Sequence, residues 1–287
     1  MQIEVHAVAR GHGTPYDHAM DRLGYAAPSS LTRAVRIAHG LASTVDETIA
    51  EEMPVTLAYN GVSHAVMMAT PSDLEDFAIG FSLTEGIIAR ADAVTSIAVV
   101  RYSRGIELQI ETSGEVVNEK RRRRLSGRSG CGICGMEDVE QVLRAIPHVA
   151  SAAHFSASAI SRAMRELAAR QPLNDATGAV HAAGWADAEG VVSLVREDVG
   201  RHNALDKLAG ALTRASVNAG TGFIVLTSRG SFELVQKAAV LGASLVATVS
   251  APTGLAVRMA AAAGIALAGF ARDGRVTVYT HPERVSP

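Results

Sequence analysis

The only two cysteines of this 287-residue chain lie three residues apart in a glycine frame, S-G-C-G-I-C-G, as Cys131 and Cys134. The stretch before them carries Lys120, Arg121, Arg122, Arg123, Arg124 and Arg128. Neighbouring cations stabilise a thiolate, so these thiols should ionise below the value of about 8.5 of a free cysteine. Gly127, Gly130, Gly132 and Gly135 leave the backbone free to turn or to approach a ligand closely. The chemistry this points to is an exposed, low-pKa sulfur on a basic, Gly-rich segment. The same charges would draw in a polyphosphate or a nucleotide-bearing ligand.

Several chemistries compete for the pair. A structural zinc needs four ligands, so two sulfurs would have to borrow histidines from elsewhere. C-x-x-C is also the signature of a thioredoxin-like dithiol, but that motif opens a helix after an early strand rather than following a basic run in mid-chain. Zinc deaminases carry H-x-E ahead of P-C-x-x-C. Here the only H-x-E is His281-Pro282-Glu283, which follows the cysteines and excludes that chemistry. Two inert buried cysteines fit poorly with arginine and glycine neighbours.

A second cluster, R-E-D-V-G-R-H-N-A-L-D-K, runs from Arg196 to Lys207. On a helix starting near Gly200, His202 and Asp206 share one side, with Asn203 and Lys207 beside them. Two potential ligands make no metal site, and an exposed helix with i,i+4 pairs satisfies the same spacing. Thr227 to Glu233 and Ser250 to Gly254 each follow an apolar run and place Ser, Thr or Gly at a helix start, where free N–H groups suit phosphate. Neither completes a P-loop or a G-x-G-x-x-G. The last candidate is Phe270, Ala271, Arg272, Asp273, Gly274 and Arg275, after an apolar strand at the sheet edge where α/β proteins hold ligands. Phe270 offers a flat face to a base, Arg272 and Arg275 can pair with phosphate oxygens, and Gly274 allows close approach. A plain Asp-Gly turn with two solvated arginines is the alternative.

The elements that must position these groups form two lobes. Residues 1–44, with His6, His12, His18 and His39 among Gly, Pro and Ser, read as a loosely ordered tail. Residues 45–119 read as an α+β lobe. There Asn60-Gly61 turns one hairpin and Ser103-Arg104-Gly105 a second. Between them, Thr70 (N-cap), Pro71 and Asp73 open a helix bearing Leu74, Phe77, Ala78 and Phe81 on one face. Residues 120–136 form the cysteine loop. Residues 137–287 read as an α/β lobe. It comprises helices near 136–146 and 157–170, a hairpin turned at Glu189-Gly190, and then apolar strands alternating with short helices.

Composition narrows the class. With 48% hydrophobic residues the chain can bury a real core, and with 4% aromatic residues it lacks the stacking platforms of single-stranded nucleic-acid binders. A net charge of −2 makes the basic run a local feature. No signal-peptide pattern opens the chain. The most apolar stretch, Ala238 to Ala271, is broken by Gly242, Pro252, Gly254, Arg258 and Gly264. The expectation is a cytoplasmic protein that binds neither nucleic acid nor membrane.

Taken in order, E-E-M-P-V-T-L-A-Y-N-G, T-P-S-D-L-E-D-F-A-I-G-F-S-L-T-E-G-I-I, C-G-I-C-G, R-E-D-V-G-R-H-N-A-L-D-K, S-F-E-L-V-Q-K-A and G-F-A-R resemble the formate dehydrogenase accessory sulfurtransferase family (FdhD/NarQ) from about Glu51 onward. Two departures stand out: Ala179 where the family usually has a second glycine, and an altered order in T-S-R-G-S. The resemblance implies an α/β fold with a cytidine-deaminase-like, layered α/β/α core and mixed sheet, without that enzyme's zinc, beside the N-terminal α+β lobe. It implies a sulfurtransferase that takes persulfide sulfur from a cysteine desulfurase and passes it to the bis-molybdopterin guanine dinucleotide cofactor, a bound substrate, for the formate dehydrogenase catalytic subunit. Cys131 would carry the persulfide and Cys134 assist or receive it. The stretch 270–275 would contact the cofactor's guanine nucleotide, no permanent cofactor or metal would be needed, and the protein would be a homodimer. A non-catalytic cofactor chaperone and a dithiol oxidoreductase are the rival readings.

Overall fold

The computed structural model describes residues 4–9, by backbone alone, and residues 27–114 and 146–287. Two larger sheets organise them. The first has five strands in the order β1-β6-β7-β4-β5: β1 (Glu4–Ala9), β4 (Met53–Tyr59), β5 (Val62–Ala69), β6 (Val94–Tyr102) and β7 (Gly105–Thr112). The Asn60-Gly61 turn is present, with both residues at positive φ as a tight hairpin requires. Helix α1 (Leu74–Thr84) packs Leu74, Phe77, Ala78 and Phe81 on this sheet with Val55, Leu57, Ile97 and Leu108.

Helix α1 starts at Leu74, later than the sequence predicts, and its N-cap residue, Asp73, adopts a left-handed φ of 51°. Thr70 does not cap it. Its N–H donates to Asp198 Oδ2 (3.0 Å) and its Oγ1 accepts from the Val199 N–H (3.1 Å). The hydroxyl that would cap the helix is taken instead by the Val199 N–H, because the second lobe is docked there.

The second sheet has six strands in the order β10-β9-β11-β12-β13-β14. They are β9 (His181–Ala186), β10 (Val192–Asp198), β11 (Phe223–Leu226), β12 (Leu245–Thr248), β13 (Ala266–Arg272) and β14 (Arg275–Thr280). β11, β12 and β13 are parallel and the other pairs antiparallel, so the sheet is mixed. Successive strand residues point to opposite faces. Ile224 and Leu226 face α4 (Arg201–Arg214), α5 (Phe232–Val240) and α6 (Gly254–Ala263). Phe223 and Val225 face α2 (Ala157–Ala168), whose Ile160, Ala163, Met164 and Leu167 recur at helical spacing. Helix α2 is capped by Ser156, which accepts from the Ala159 N–H at 3.0 Å. Short helix α3 (Pro172–Thr177) follows, and a two-residue pair, β8 (Phe155–Ser156) with β15 (Val285–Ser286), ties the C-terminus to α2. The helix expected near 136–146 lies outside the described residues, except for its last position.

The region read as a loose tail is corrected over part of its length. Residues 29–50 form a long antiparallel hairpin, β2 (Ser29–Ala38) with β3 (Leu41–Ala50). Its turn, His39-Gly40, puts both residues at positive φ. The apolar residues Leu31, Val35 and Ile37 alternate with polar ones as a strand demands, but no core among the described residues covers them, which is why the segment does not read as folded from composition.

The two sheets meet through α1 and α4. A Cβ on Gly80 would lie 1.7 Å from the Asp206 carbonyl oxygen, and one on Gly210 1.9 Å from that of Asp76. The helices therefore cross backbone to backbone, and only glycine fits at either point.

Candidate functional site

The R-E-D-V-G-R-H-N-A-L-D-K cluster is the hinge-pin of this crossing. Lys207 and Asp198 are fully buried and paired at 2.7 Å. Lys207 also donates to the Thr70 carbonyl (3.0 Å), while Asn203 Nδ2 donates to the Met68 carbonyl (2.8 Å) and to Asp198 Oδ1 (3.0 Å). Asp206 lies beside α1, where Lys237 Nζ meets Asp206 Oδ1 at 2.8 Å, Glu85 Oε1 at 2.7 Å and Thr84 Oγ1 at 3.0 Å. Burial pushes the Asp206 carboxyl up, against the pull of Lys237. On the rim, Asp76 takes Arg196 (2.6 Å) and Arg214 (2.9 Å). His202 and Asp206 thus do not form the shared exposed face that the i,i+4 spacing suggested: Asp206 holds the lobes together.

His202 stands apart from this network. It is 3% exposed, and its Nε2 lies 3.8 Å from Glu233 Oε2, too long for a direct hydrogen bond. Burial is the main cause that holds its pKa below the usual 6.5, and the same cause, with the charges of Arg201 and His202, lowers that of His181. A histidine whose folded value is depressed binds fewer protons folded than unfolded, so stability rises with pH up to about 6.5 and falls on acidification below it. The stability lost between about pH 7.5 and pH 5.5 should shrink in a His202→Gln variant, measured by chemical denaturation at both values. An unchanged pH dependence would assign the effect elsewhere.

The remaining sequence candidates converge on one edge. Because β9 is antiparallel to both β10 and β11, β10 runs in the same direction as β11, β12 and β13. Their carboxyl ends therefore share an edge, joined by the amino end of β9 at His181. The Thr227–Ser231 corner and the Ser250–Thr253 corner lie side by side here. Gly230 bridges Pro252, the Thr253 N–H donates to the Gly230 carbonyl (2.9 Å), and the Phe270 N–H donates to that of Ser250 (3.3 Å). Three helices begin at this edge, α4 after Gly200, α5 after Ser231 and α6 after Thr253, and only the last carries a side-chain cap bond. The two candidate corners and the 270–275 stretch are thus neighbours. That proximity is invisible in sequence.

Within 270–275, Asp273 (φ 54°) and Gly274 (φ 72°) form a two-residue turn, with Arg272 paired to Arg275 across it. Arg272, Asp273, Gly274 and Arg275 are exposed, while Ala271 is buried with its side chain in the core on the α2 face. Phe270 adopts a left-handed φ of 50°, an outlier for a bulky residue, and the Arg275 guanidinium sits 5.8 Å from its ring centroid. One face of that ring is therefore occupied by a cation. Gly269 is forced by crowding, since a Cβ there would sit 2.9 Å from Pro252 Cδ. His181 belongs to this edge without having been singled out as a site residue. It enters at the amino end of β9, far in sequence from the two corners, and no local spacing signals it. Cys131, Cys134 and the basic run from Lys120 to Arg128 lie outside the described residues. Among those described, no three His, Cys, Asp or Glu side chains gather as a metal-ligand set, and no helix is long and apolar enough to cross a membrane.

Comparison with known proteins gives a consistent result. A profile of the FdhD/NarQ family matches residues 50–286. The chain is 54% identical over 261 residues to the sulfur carrier protein FdhD of Xanthomonas campestris, covering 90% of this chain and 93% of that one. It is 50% identical over 274 residues to the sulfur carrier protein FdhD of Bordetella petrii, covering 93% and 99%. A crystal structure described as that of a formate dehydrogenase accessory protein from Desulfotalea psychrophila superposes with a TM-score of 0.72 at 25% identity, covering 90% of this chain and 99% of that one.

Proposed function

The chain belongs to the FdhD/NarQ family, and on that premise we propose that it is a sulfur carrier in formate dehydrogenase maturation, working in the cytoplasm as a homodimer. The observation that carries the chemistry is the cysteine pair, the chain's only two thiols, set in glycine and preceded by six cations. In this reading the Cys131 thiolate attacks the terminal sulfur of a cysteine desulfurase persulfide. The S–S bond of the donor breaks, the donor thiolate leaves, and the sulfur is held on Cys131 with no net redox change. Releasing it at the sulfide level requires two electrons. Attack of the Cys134 thiolate on the Cys131 sulfur supplies them, forming a Cys131–Cys134 disulfide as the sulfide departs toward the substrate. The substrate is the bis-molybdopterin guanine dinucleotide cofactor destined for the formate dehydrogenase catalytic subunit. The layered helix–sheet–helix core is in this reading a cytidine-deaminase-like scaffold used without zinc.

Mass spectrometry of the full chain after incubation with a cysteine desulfurase and cysteine tests the carrier step. A gain of one sulfur atom on the peptide bearing Cys131 is expected. A protein that binds cofactor but gains no sulfur is an escort, and one that forms a Cys131–Cys134 disulfide with neither sulfane sulfur on Cys131 nor sulfide released is a dithiol oxidoreductase.

The cofactor's nucleotide end is proposed to bind along the carboxyl edge at Phe270 to Arg275, supported by exposed Arg272 and Arg275 and by the strained Phe270 between them and the Ser250 corner. GDP, titrated as a stand-in, should bind an Arg272→Ala, Arg275→Ala double variant at least tenfold more weakly, about 1.4 kcal/mol. Equal affinity would move the site to the adjoining Thr227–Ser231 corner.

A further inference from the structure

Glu233 is an anion on a cationic rim. The carboxyl edge exposes Arg229, Arg272 and Arg275, yet none of the three pairs with it. Glu233 lies in the first turn of α5, its side chain 15% exposed, and faces His202 from the first turn of α4. The buried His202 Nε2 has no hydrogen-bond partner, and at 3.8 Å from Glu233 Oε2 it leaves the carboxylate's acceptor positions open. Burial opposes ionisation of Glu233, but His202 and the residue's own N–H outweigh it and hold the carboxyl below the usual range. Such an edge calls for a ligand with two chemically different ends: negative charge for the arginines and N–H donors for the carboxylate.

We propose that Glu233 selects the guanine base of the nucleotide, its two carboxylate oxygens accepting from the base's N1–H and 2-amino groups. This rests on the reading above that the carboxyl edge receives the cofactor's nucleotide end. Among the common bases only guanine sets two N–H donors side by side on its pairing edge. Adenine and cytosine place a ring acceptor beside their amino group, and uracil flanks its one N–H with carbonyls. An ionised carboxylate has no hydrogen to give those acceptors. To guanine it can make two parallel, charge-assisted bonds. The rest of the edge fits the same orientation. Arg275 covers one face of the Phe270 ring and leaves the other for the base, while exposed Arg272 and Arg275 suit the diphosphate. The corner that leads into Glu233 is joined to Phe270 through Gly230, Pro252 and Ser250.

Calorimetric titration of the full chain with GDP, ADP and xanthosine diphosphate tests the assignment. Xanthine replaces guanine's 2-amino donor with a carbonyl acceptor, so wild type should prefer GDP to either analogue by about a hundredfold. In a Glu233→Gln variant the amide donates to that carbonyl and still accepts from N1–H. GDP affinity should then fall about tenfold or more and xanthosine diphosphate affinity rise by about as much. A gain for the xanthine nucleotide cannot come from a misfolded variant. If wild type binds GDP and the variant keeps the same preference, or loses GDP without gaining the xanthine nucleotide, the assignment of Glu233 is overturned while the nucleotide site stands. If wild type binds no GDP, the nucleotide reading falls and this assignment with it.

Discussion

Replacing Cys131 with alanine is expected to abolish sulfur loading and transfer, with loss to background rather than a fractional decrease. The sulfur has to be covalently held between donor and acceptor, and only two side chains in the molecule can hold it. A serine or alanine at 131 offers no nucleophile of comparable reactivity, because the thiolate is the attacking species. The substitution should leave the denaturation midpoint within the error of wild type, since Gly130, Gly132 and Gly135 bring no packing surface to the position. Cys134→Ala separates the two thiol roles. If Cys134 serves to release the sulfur, this variant accumulates persulfide on Cys131 yet fails in the complete reaction, and added dithiol restores turnover by supplying the two electrons. If Cys131→Ala sulfurates the cofactor at the wild-type rate, the carrier assignment is wrong. If Cys134→Ala turns over normally without added reductant, release does not use the internal dithiol.

What could be read in advance from the sequence was whatever depends on near neighbours. The Asn60-Gly61 turn, the β9–β10 hairpin and the alternation of β11, α5, β12, α6 and β13 follow from local spacing, and the structure contains each. The arm at 29–50 is hard to read because its apolar alternation serves no core among the described residues, and a His-Gly turn is a weaker signal than Asn-Gly. Thr70 looks like a helix cap by every local criterion, but its hydroxyl is engaged by the Val199 N–H from the other lobe. The same distance problem disguised the 196–207 cluster. Its spacing is that of an exposed helix with i,i+4 pairs, whereas its partners, Met68, Thr70, Thr84 and Lys237, come from elsewhere in the chain. One signal was available and unused. Gly80 and Gly210 each sit inside an otherwise good helix, where glycine is costly unless a backbone must come close. Two such glycines in separate helices are the signature of the crossing that fixes the lobes.

Removing the Lys237 cation at that crossing should be strongly destabilising. Lys237 is 5% exposed at its side chain and faces two carboxylates, Asp206 at 1% and Glu85 at 13%. A Lys237→Met variant keeps most of the stem's volume and removes only the ammonium, with its 5.7 Å approach to the Phe81 ring, so the loss measured is mainly that of charge rather than packing. Two adjacent acids would then be buried without a counter-charge, a situation that costs about 3–5 kcal/mol when one partner of a buried pair is deleted. The deficit should depend on pH with a definite sign. Burial already pushes the Asp206 carboxyl up, and deleting Lys237 removes the main influence holding it down. A carboxyl whose folded pKa exceeds its unfolded value binds more protons in the folded state. Its contribution to stability is therefore present at low pH and is lost as pH rises through the folded value. Relative to wild type, the variant should be most destabilised at alkaline pH and should recover as Asp206 takes up a proton on acidification. Adding Asp206→Asn should return part of the loss and flatten the pH dependence, because a neutral amide still accepts from Thr84 but needs no cation. Denaturant titrations of the single and double variants across pH decide the matter. A deficit below about 1 kcal/mol, or one that does not vary with pH, would mean that the lobes are held by the α1–α4 backbone contact and not by this buried charge.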